Sequence, residues 1–181
     1  MDLLQFDAQD LYYEQEESQE VQDLIKYASD LYSSGEAELP LLKAFLRAPE
    51  SLNVLVSLNR FYYYQHRLPE ALLVSERALV LIQQGIHFPE DWQELEIRHI
   101  TEAPKDLLTR IRLYLFTLKS IGFLNMRMEN LDLSRAIFEK LVELDDRDRI
   151  GAKGLLELVI QRQDSVVKVD FSAFRHEFGR G

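Results

Sequence analysis

The sequence predicts an all-α fold, and three observations lead to that prediction. The 181 residues include only seven glycines and five prolines, which fall between long stretches of helix-forming residues. Alternation of apolar and polar residues, which is typical of a half-buried strand, is nearly absent, with residues 166–169 as the only short candidate. Residues 52–85 and 115–148 are also similar to each other, since both are 34 residues long and share an apolar pattern. Helices of about 12–16 residues joined by short turns favour stacked antiparallel hairpins.

The first two helices follow from apolar spacing and from turn residues. From Ser18 onward, apolar residues recur at steps of three and four, which predicts an amphipathic helix. Residues 33–35, Ser-Ser-Gly, predict its end. Pro40 is tolerated in a first helical turn and therefore marks the start of a second helix, and Pro49 marks its end.

The third and fourth helices make up the first of the two similar units. Ser51 is a favourable N-cap for a helix that we expect to run to about His66. The following helix is predicted to start at residues 68–70, Leu-Pro-Glu, and to close at Gly85.

Matching offsets in the two units carry similar residues. The first unit has Leu55, Leu58, Tyr62, Ala71 and Ala78 at these offsets, and the second has Leu118, Ile121, Asn125, Ser134 and Leu141. Gly122 matches Asn59, at a crossing point where a small side chain lets two helices approach. A 34-residue helix–turn–helix unit with this pattern resembles the tetratricopeptide repeat, or TPR. Residues 138–145, Phe-Glu-Lys-Leu-Val-Glu-Leu-Asp, come closest to that family's consensus.

The resemblance implies a right-handed solenoid of about three TPR-like antiparallel helix hairpins that ends in a C-terminal capping helix. His66 and Glu129 depart from the family pattern, because they stand where it often has a turn glycine. An ordinary helical bundle is the rival interpretation. The implied segments are an acidic N-terminal segment (1–17), a helical domain (18–163) and a tail (164–181). Within the helical domain, the parts in order are a degenerate repeat (about 22–51), a repeat (52–85), an insertion (86–114), a repeat (115–148) and a capping helix (149–163).

Composition and charge exclude several classes of function. The chain has no cysteine, which excludes disulfides, thiolate metal sites and cysteine nucleophiles. The formal net charge of -10 argues against nucleic-acid binding, which needs a surplus of lysine and arginine. No apolar run approaches ~20 residues and no secretory signal is visible, so we expect a cytoplasmic protein without a membrane partner.

The acidity is concentrated at the start of the chain. Residues 1–50 hold 12 acidic and 3 basic side chains, whereas residues 51–181 hold 19 and 18. Residues 11–13, Leu-Tyr-Tyr, interrupt the acidic block with apolar bulk. One hypothesis is that this segment lies in the protein's own groove as a pseudo-ligand, while the ordinary alternative is a solvated terminus.

Motifs for catalysis and for cofactors are absent from the sequence. It contains neither GxGxxG nor GxxxxGK[ST], the usual phosphate-binding patterns. Glu96 and His99 form a single ExxH pair, whereas a di-iron carboxylate site needs two such pairs and two further glutamates. We therefore expect no enzyme activity, no cofactor and no metal, and a metal-binding helical bundle is a remote alternative.

The TPR resemblance also implies a binding surface. In that fold the first helix of each hairpin lines a concave groove that binds peptides. Aromatic residues with arginine are typical of interaction hot spots, and cations there would steer acidic ligands. Phe116 and Phe123 could instead pack against the neighbouring hairpin. The groove residues carried over to this chain are Arg60, Tyr63, Tyr64, Phe116, Lys119, Phe123, Met126 and Arg127.

Two further apolar features are secondary interaction candidates. Trp92 is the only tryptophan and lies in the insertion, where it could equally plug the seam between two hairpins. Phe171, Phe174 and Phe178 follow a spacing of i, i+3 and i+7, which puts them on one helical face. That face could dock on the last repeat, bind a partner or support a homodimer.

These observations together predict an adaptor or scaffold that binds a segment of another protein without doing chemistry. Size, acidity and about three repeats also resemble the class II chaperones of type III secretion, which hold partner segments in a repeat groove. That second interpretation predicts an apolar ligand on Phe116 and Phe123, whereas an adaptor with a cationic groove would favour an acidic ligand.

Overall fold

The computed structural model describes residues 17–178, with side chains for residues 17–165. Within this range the chain forms eight α-helices and no strand, so the all-α prediction is confirmed. The acidic segment as far as residue 16, which includes the Leu-Tyr-Tyr stretch, lies outside the described residues. The helices are α1 (Gln19–Asp30), α2 (Glu38–Arg47), α3 (Leu52–Tyr64), α4 (Leu68–Ile86), α5 (Ile97–Thr101), α6 (Leu108–Arg127), α7 (Leu131–Leu144) and α8 (Lys153–Phe178).

Several helix starts follow the expected capping chemistry. Ser51 caps α3, because its Oγ accepts a hydrogen bond from the backbone N–H of Val54 at 3.2 Å. Ser18 caps α1 in the same way through Val21. Pro40 lies in the first turn of α2, where the missing backbone N–H removes no intrahelical hydrogen bond.

The predicted end of α4 at Gly85 is wrong. The helix continues to Ile86 and ends at His87, which adopts the left-handed conformation with a φ of 54°. Gly85 has a packing role instead, since a Cβ built there would lie 2.5 Å from Nη1 of Arg110 on α6. A glycine near a helix end therefore marks a close approach here and does not mark the terminus.

The helices pack mainly against their neighbours in sequence. Contacts link α1 to α2, α2 to α3, α3 to α4, α4 to α6, α6 to α7 and α7 to α8. The segment between α4 and α6 carries the short α5, and its Leu95 is fully buried while Nζ of Lys140 on α7 donates to the Leu95 carbonyl at 3.1 Å. This segment is therefore part of the packed body. α6 begins at Leu108, inside the range predicted as an insertion, and α8 continues through the predicted tail as far as Phe178.

An ionic cluster joins α2 to the turn between α3 and α4. The Arg67 guanidinium contacts Glu38 at 2.7 Å and Glu70 at 2.8 Å, and its Cζ lies 4.6 Å from the ring centroid of Tyr62. The Tyr62 hydroxyl donates to Glu38 at 3.2 Å. Burial, followed by the charge of Glu38, raises the pKa of Tyr62. The cluster holds α2 in place beside α3.

The two similar units agree in backbone detail. The ends of α3 and α6 are 63 residues apart, and so are the starts of α4 and α7. His66 and Glu129, also 63 residues apart, both adopt the left-handed region, with φ values of 57° and 63°. Few residues other than glycine do so. The two turns therefore have the same conformation at the position where the sequence comparison expects a glycine.

The two units differ in the side chains that occupy the point where their two helices cross. In the first unit, Nδ2 of Asn59 donates to Oγ of Ser75 at 2.6 Å. In the second unit the same offsets carry Gly122 and Phe138, and a Cβ built on Gly122 would lie only 2.8 Å from Cε1 of Phe138. Oγ of Ser134 donates to the Gly122 carbonyl at 2.8 Å. A polar pair in one unit is therefore replaced by an aromatic ring against a glycine in the other.

Candidate interaction groove

A pocket of about 510 Å³ lies between α1 and α3. The 3-10 turn that follows α1, Tyr32–Ser34, is tied to α3 at this point, because the Tyr32 hydroxyl donates to the Ser57 carbonyl at 2.8 Å. Among the described residues that line the pocket there is one cation and no carboxylate. They are Ile25, Ser29, Tyr32, Ser33, Val56, Ser57, Arg60 and Tyr64.

Arg60 is the charged group of this pocket. Its side chain is exposed, and its Cζ lies 5.8 Å from the ring centroid of Tyr32 and 5.9 Å from that of Tyr64. Cation–π contacts at exposed sites are favourable by about 0.5–1 kcal/mol. No carboxylate within the described residues forms an ion pair with Arg60.

Other polar side chains of the pocket already have backbone partners. Oγ of Ser57 donates to the Asn53 carbonyl at 2.8 Å, and Oγ of Ser29 donates to the Lys26 carbonyl at 2.6 Å. A guanidinium carries five N–H donors and no acceptor. The pocket therefore offers a ligand apolar and aromatic walls with one strong donor group, Arg60.

Aromatic rings extend this surface from α3 towards α6. The rings of Tyr63 and Phe123 are 6.3 Å apart, and those of Tyr63 and Tyr64 are 5.5 Å apart in an edge-on arrangement. Phe123 and Phe116 are half-buried and pack against the main core. Arg127 is exposed at the end of α6. The structure thus links Arg60, Tyr64, Tyr63 and Phe123 through a series of neighbouring side chains.

Two predicted groove residues belong to the core, and their assignment as partner contacts is corrected here. Met126 is 1% exposed and Lys119 is 6% exposed. Nζ of Lys119 donates to the Ile150 carbonyl and lies 4.5 Å from the ring centroid of Phe116. Burial lowers the pKa of Lys119, and the nearby carboxylate of Asp148 partly opposes that effect.

The covering of this part of α6 by the end of the chain explains the difference. The turn before α8 accepts the Lys119 hydrogen bond, and Nη1 of Arg162 on α8 lies 3.4 Å from the Met126 carbonyl. The helical periodicity of the sequence shows on which face of its own helix a residue lies. It does not show which of those faces a later part of the chain covers.

The secondary interaction candidates lie in two different parts of the chain, and only Trp92 has a described side chain. Trp92 begins a short 3-10 segment, Trp92–Glu94, and packs half-buried against the main core. Phe171, Phe174 and Phe178 lie in α8, and their side chains lie outside the described residues.

The Glu96–His99 pair serves as the cap of α5. Nδ1 of His99 accepts from the Glu96 backbone N–H at 2.9 Å, and the Glu96 carboxylate pairs with Arg98 at 2.9 Å. In the part of the chain that the structure describes, no three histidine, aspartate or glutamate side chains are grouped closely enough to hold a metal ion.

The contribution to the pocket of α1 and of the 3-10 turn after it was missed by sequence reasoning. Ile25, Ser29 and Tyr32 line the pocket, yet the predicted groove drew only on the two complete units. Ile25 and Tyr32 do match positions of the degenerate first repeat, and this was the available signal.

A protein of Azotobacter chroococcum mcd 1, described as "Uncharacterized 19.8 kDa protein in nifW 5'region", is 36% identical to this chain over 167 residues. The match covers 92% of this chain and 93% of that protein. The chain belongs to the family of this protein. The description of the Azotobacter relative states no activity, so it assigns no chemistry to the groove.

No protein-family model and no solved structure matches the chain. Across the described residues, none of the helices combines the length and the apolar character that a bilayer span requires.

Proposed function

We propose that this protein is a non-enzymatic interaction module with TPR-like helical hairpins, which binds a segment of a partner protein in the pocket between α1 and α3. The observation that carries the proposal is Arg60, whose Cζ lies 5.8 Å and 5.9 Å from the ring centroids of Tyr32 and Tyr64 in a pocket of about 510 Å³; the described residues that line this pocket include no carboxylate. Concave sites of roughly 300–1,000 Å³ with apolar walls and few polar groups are usual for ligand binding.

The paired units support the TPR-like part of the proposal. A duplicated helix–turn–helix unit would produce the equal spacing of 63 residues between the ends of α3 and α6 and between the starts of α4 and α7. It would also produce the two left-handed turn residues, His66 and Glu129. Contacts mainly between helices adjacent in sequence are typical of repeat stacks. In such stacks the first helices of the hairpins, here α1, α3 and α6, share one face.

The ionisable chemistry of the pocket favours binding over catalysis. The guanidinium of Arg60 offers N–H donors and no acceptor, so it can bind an anion but provides no general base. The serine hydroxyls at 29 and 57 donate to backbone carbonyls and have no basic partner among the pocket residues. An adaptor therefore agrees better with this arrangement than a hydrolase does.

The chaperone alternative depends on apolar surface at Phe116 and Phe123. Both rings are half-buried against the core, and Tyr63 covers part of Phe123 while Lys119 lies over Phe116. The surface left for an apolar ligand is therefore smaller than the sequence implied. This favours the adaptor interpretation with the α1–α3 pocket as its site.

Site-specific crosslinking tests the proposal. The photo-crosslinker p-benzoylphenylalanine would replace Val56, which lines the pocket, in the full chain expressed in its native cells. The matched control replaces Leu73 on α4, which is 68% exposed and lies outside the pocket. We expect a defined adduct from position 56 that is absent from position 73.

Equal adducts at both positions, or none at position 56, would refute this function.

The relative is named for a region 5′ of nifW, so the nifW product is a first defined bait for the same crosslinking experiment in Azotobacter.

A further inference from the structure

The charge of the described residues that line the α1–α3 pocket is opposite in sign to that of the whole protein. The chain carries a formal net charge of -10, yet these lining residues include one arginine and no aspartate or glutamate. Charged groups across an interface are usually arranged so that opposite signs meet. A ligand that enters this pocket is therefore expected to be locally anionic.

The geometry around Arg60 limits the kind of anion. The planar guanidinium can donate two parallel hydrogen bonds to one carboxylate. Phosphorylated motifs are typically held by clusters of arginines, whereas Arg60 is the single cation among the lining residues that the structure describes. A single arginine therefore suits one carboxylate, whose two oxygens can accept its two parallel N–H donors.

The remaining walls of the pocket fit an apolar or aromatic neighbour of that carboxylate. Ile25 and Val56 are half-buried and present aliphatic surface, and Tyr32 and Tyr64 add ring surface beside Arg60. A volume of about 510 Å³ admits a few side chains of a peptide. The pocket is too small for a whole helix.

We propose that this pocket recognises an acidic segment of a partner protein, with one aspartate or glutamate on Arg60 and an adjacent aromatic side chain against Ile25 and Val56. This inference rests on the proposed function, because it names the chemistry of the partner for the same site. It differs from the lysine-and-asparagine carboxylate binding of a known TPR subclass, whose places in this chain read Lys26, Asp30, Ser57, Phe116 and Ser120, with only Lys26 fitting.

A peptide titration tests the inference. The probe is the fluorescently labelled, C-amidated peptide Asp-Leu-Tyr-Tyr-Glu, which has this chemistry and occurs in the chain as residues 10–14. The titrated protein is the full chain with Tyr12→Ser and Tyr13→Ser, so that its own copy of the sequence has lost its aromatic side chains. The control peptide Asn-Leu-Tyr-Tyr-Gln keeps the shape and removes both charges. We expect the acidic peptide to bind at least tenfold more tightly, as measured by anisotropy.

Variants of two exposed arginines locate the effect. Arg60→Gln is expected to weaken binding of the acidic peptide about tenfold or more, since a hydrogen bond to a charged group is lost. Arg60→Lys should recover only part of the affinity, because an ammonium lacks the planar pair of donors. Arg77→Gln, the matched control on α4, lies outside the pocket and should leave the affinity unchanged. Equal thermal melts of the variants would show that all of them are folded.

The outcomes separate this inference from the proposed function. Equal affinity for both peptides, no effect of Arg60→Gln, or no binding at 1 mM protein would each overturn acidic recognition. If crosslinking at position 56 still captures a partner in that case, the groove binds a ligand of different chemistry. If crosslinking fails as well, the interaction function itself is refuted.

Discussion

Replacing Gly122 with alanine tests how the second helical unit is packed. A Cβ at this position would lie 2.8 Å from Cε1 of Phe138 and 2.9 Å from Cγ2 of Ile137. Both neighbours are almost fully buried, at 0% and 1% exposure, so neither side chain can swing into solvent. Carbon atoms in contact prefer about 3.5–4.0 Å, and α6 and α7 would therefore have to move apart by several tenths of an ångström.

Two effects of opposite sign decide the size of the change. Alanine in place of glycine inside a helix stabilises it by roughly 0.8–1.0 kcal/mol. Forcing an extra methyl group into a filled core costs about 1–3 kcal/mol. We expect the packing cost to be the larger effect, with a net loss of about 1 kcal/mol in the free energy of unfolding. For a chain of this length, that loss lowers Tm by roughly 2–4 °C.

Two other glycines provide matched controls for the same substitution. Gly154 in α8 has no neighbour within 4 Å of a built Cβ, so Gly154→Ala should be neutral or stabilise by up to about 1 kcal/mol. A Cβ on Gly85 would meet the far end of the flexible Arg110 side chain at 2.5 Å, so Gly85→Ala should cost less than Gly122→Ala despite the shorter distance.

Urea unfolding and thermal melts followed by circular dichroism measure all three changes. In addition, Phe138→Leu should reduce the cost of Gly122→Ala in a double-mutant cycle. An equal rise in stability for Gly122→Ala and Gly154→Ala would refute the packing argument.

Three further predictions concern other parts of the core. The hydroxyl of Tyr114 is the one buried side-chain polar atom without a partner in the described residues, so Tyr114→Phe should raise the free energy of unfolding by about 1 kcal/mol in chemical denaturation. Burial also raises the pKa of Tyr114 above its ordinary value of 10.0, so the native state retains a proton that the unfolded chain loses above that pH; stability should fall with rising pH there, and less steeply in the variant. Lys119→Ala should cost about 1–3 kcal/mol and should speed amide exchange around Ile150, whose carbonyl loses its donor, whereas a purely exposed lysine would show neither effect. Ser75→Phe alone should destabilise, and adding Asn59→Gly should recover part of the loss because it recreates the glycine–phenylalanine pair of the second unit; additive effects in thermal melts would contradict the correspondence of the two units.

Local chemistry in the sequence was sufficient to predict many helix boundaries. Ser51 could be identified as a cap because its hydroxyl needs only the backbone three residues ahead. The unit length and the two turn positions, His66 and Glu129, also followed from the sequence, because helix length and turn conformation repeat at a regular interval. Gly85 was wrongly predicted to end α4, because a glycine near a helix end often adopts the left-handed conformation. Its actual role is to leave space for the Arg110 side chain on α6.

The groove was predictable only in part. Arg60, Tyr63 and Tyr64 were found on α3, because helix periodicity places them on the face that the resemblance assigns to ligands. The wall contributed by α1 was missed, since the degenerate first repeat gave only a faint pattern. Lys119 was misplaced because a lysine on an amphipathic helix is normally exposed, and its burial depends on the Ile150 carbonyl, 31 residues away.

The sequence by itself determined the helical character of the chain and the matching of the two 34-residue units. These properties depend on hydrogen bonds and apolar contacts within about four residues, or on a periodic repetition of them. Only the tertiary structure decided which faces of those helices remain open. The turn before α8 accepts a hydrogen bond from Lys119, and Arg162 of α8 lies against the Met126 carbonyl, while Arg60 stays exposed beside the rings of Tyr32 and Tyr64. Exposure is a property of the packed neighbours of a residue, and those neighbours are distant in sequence.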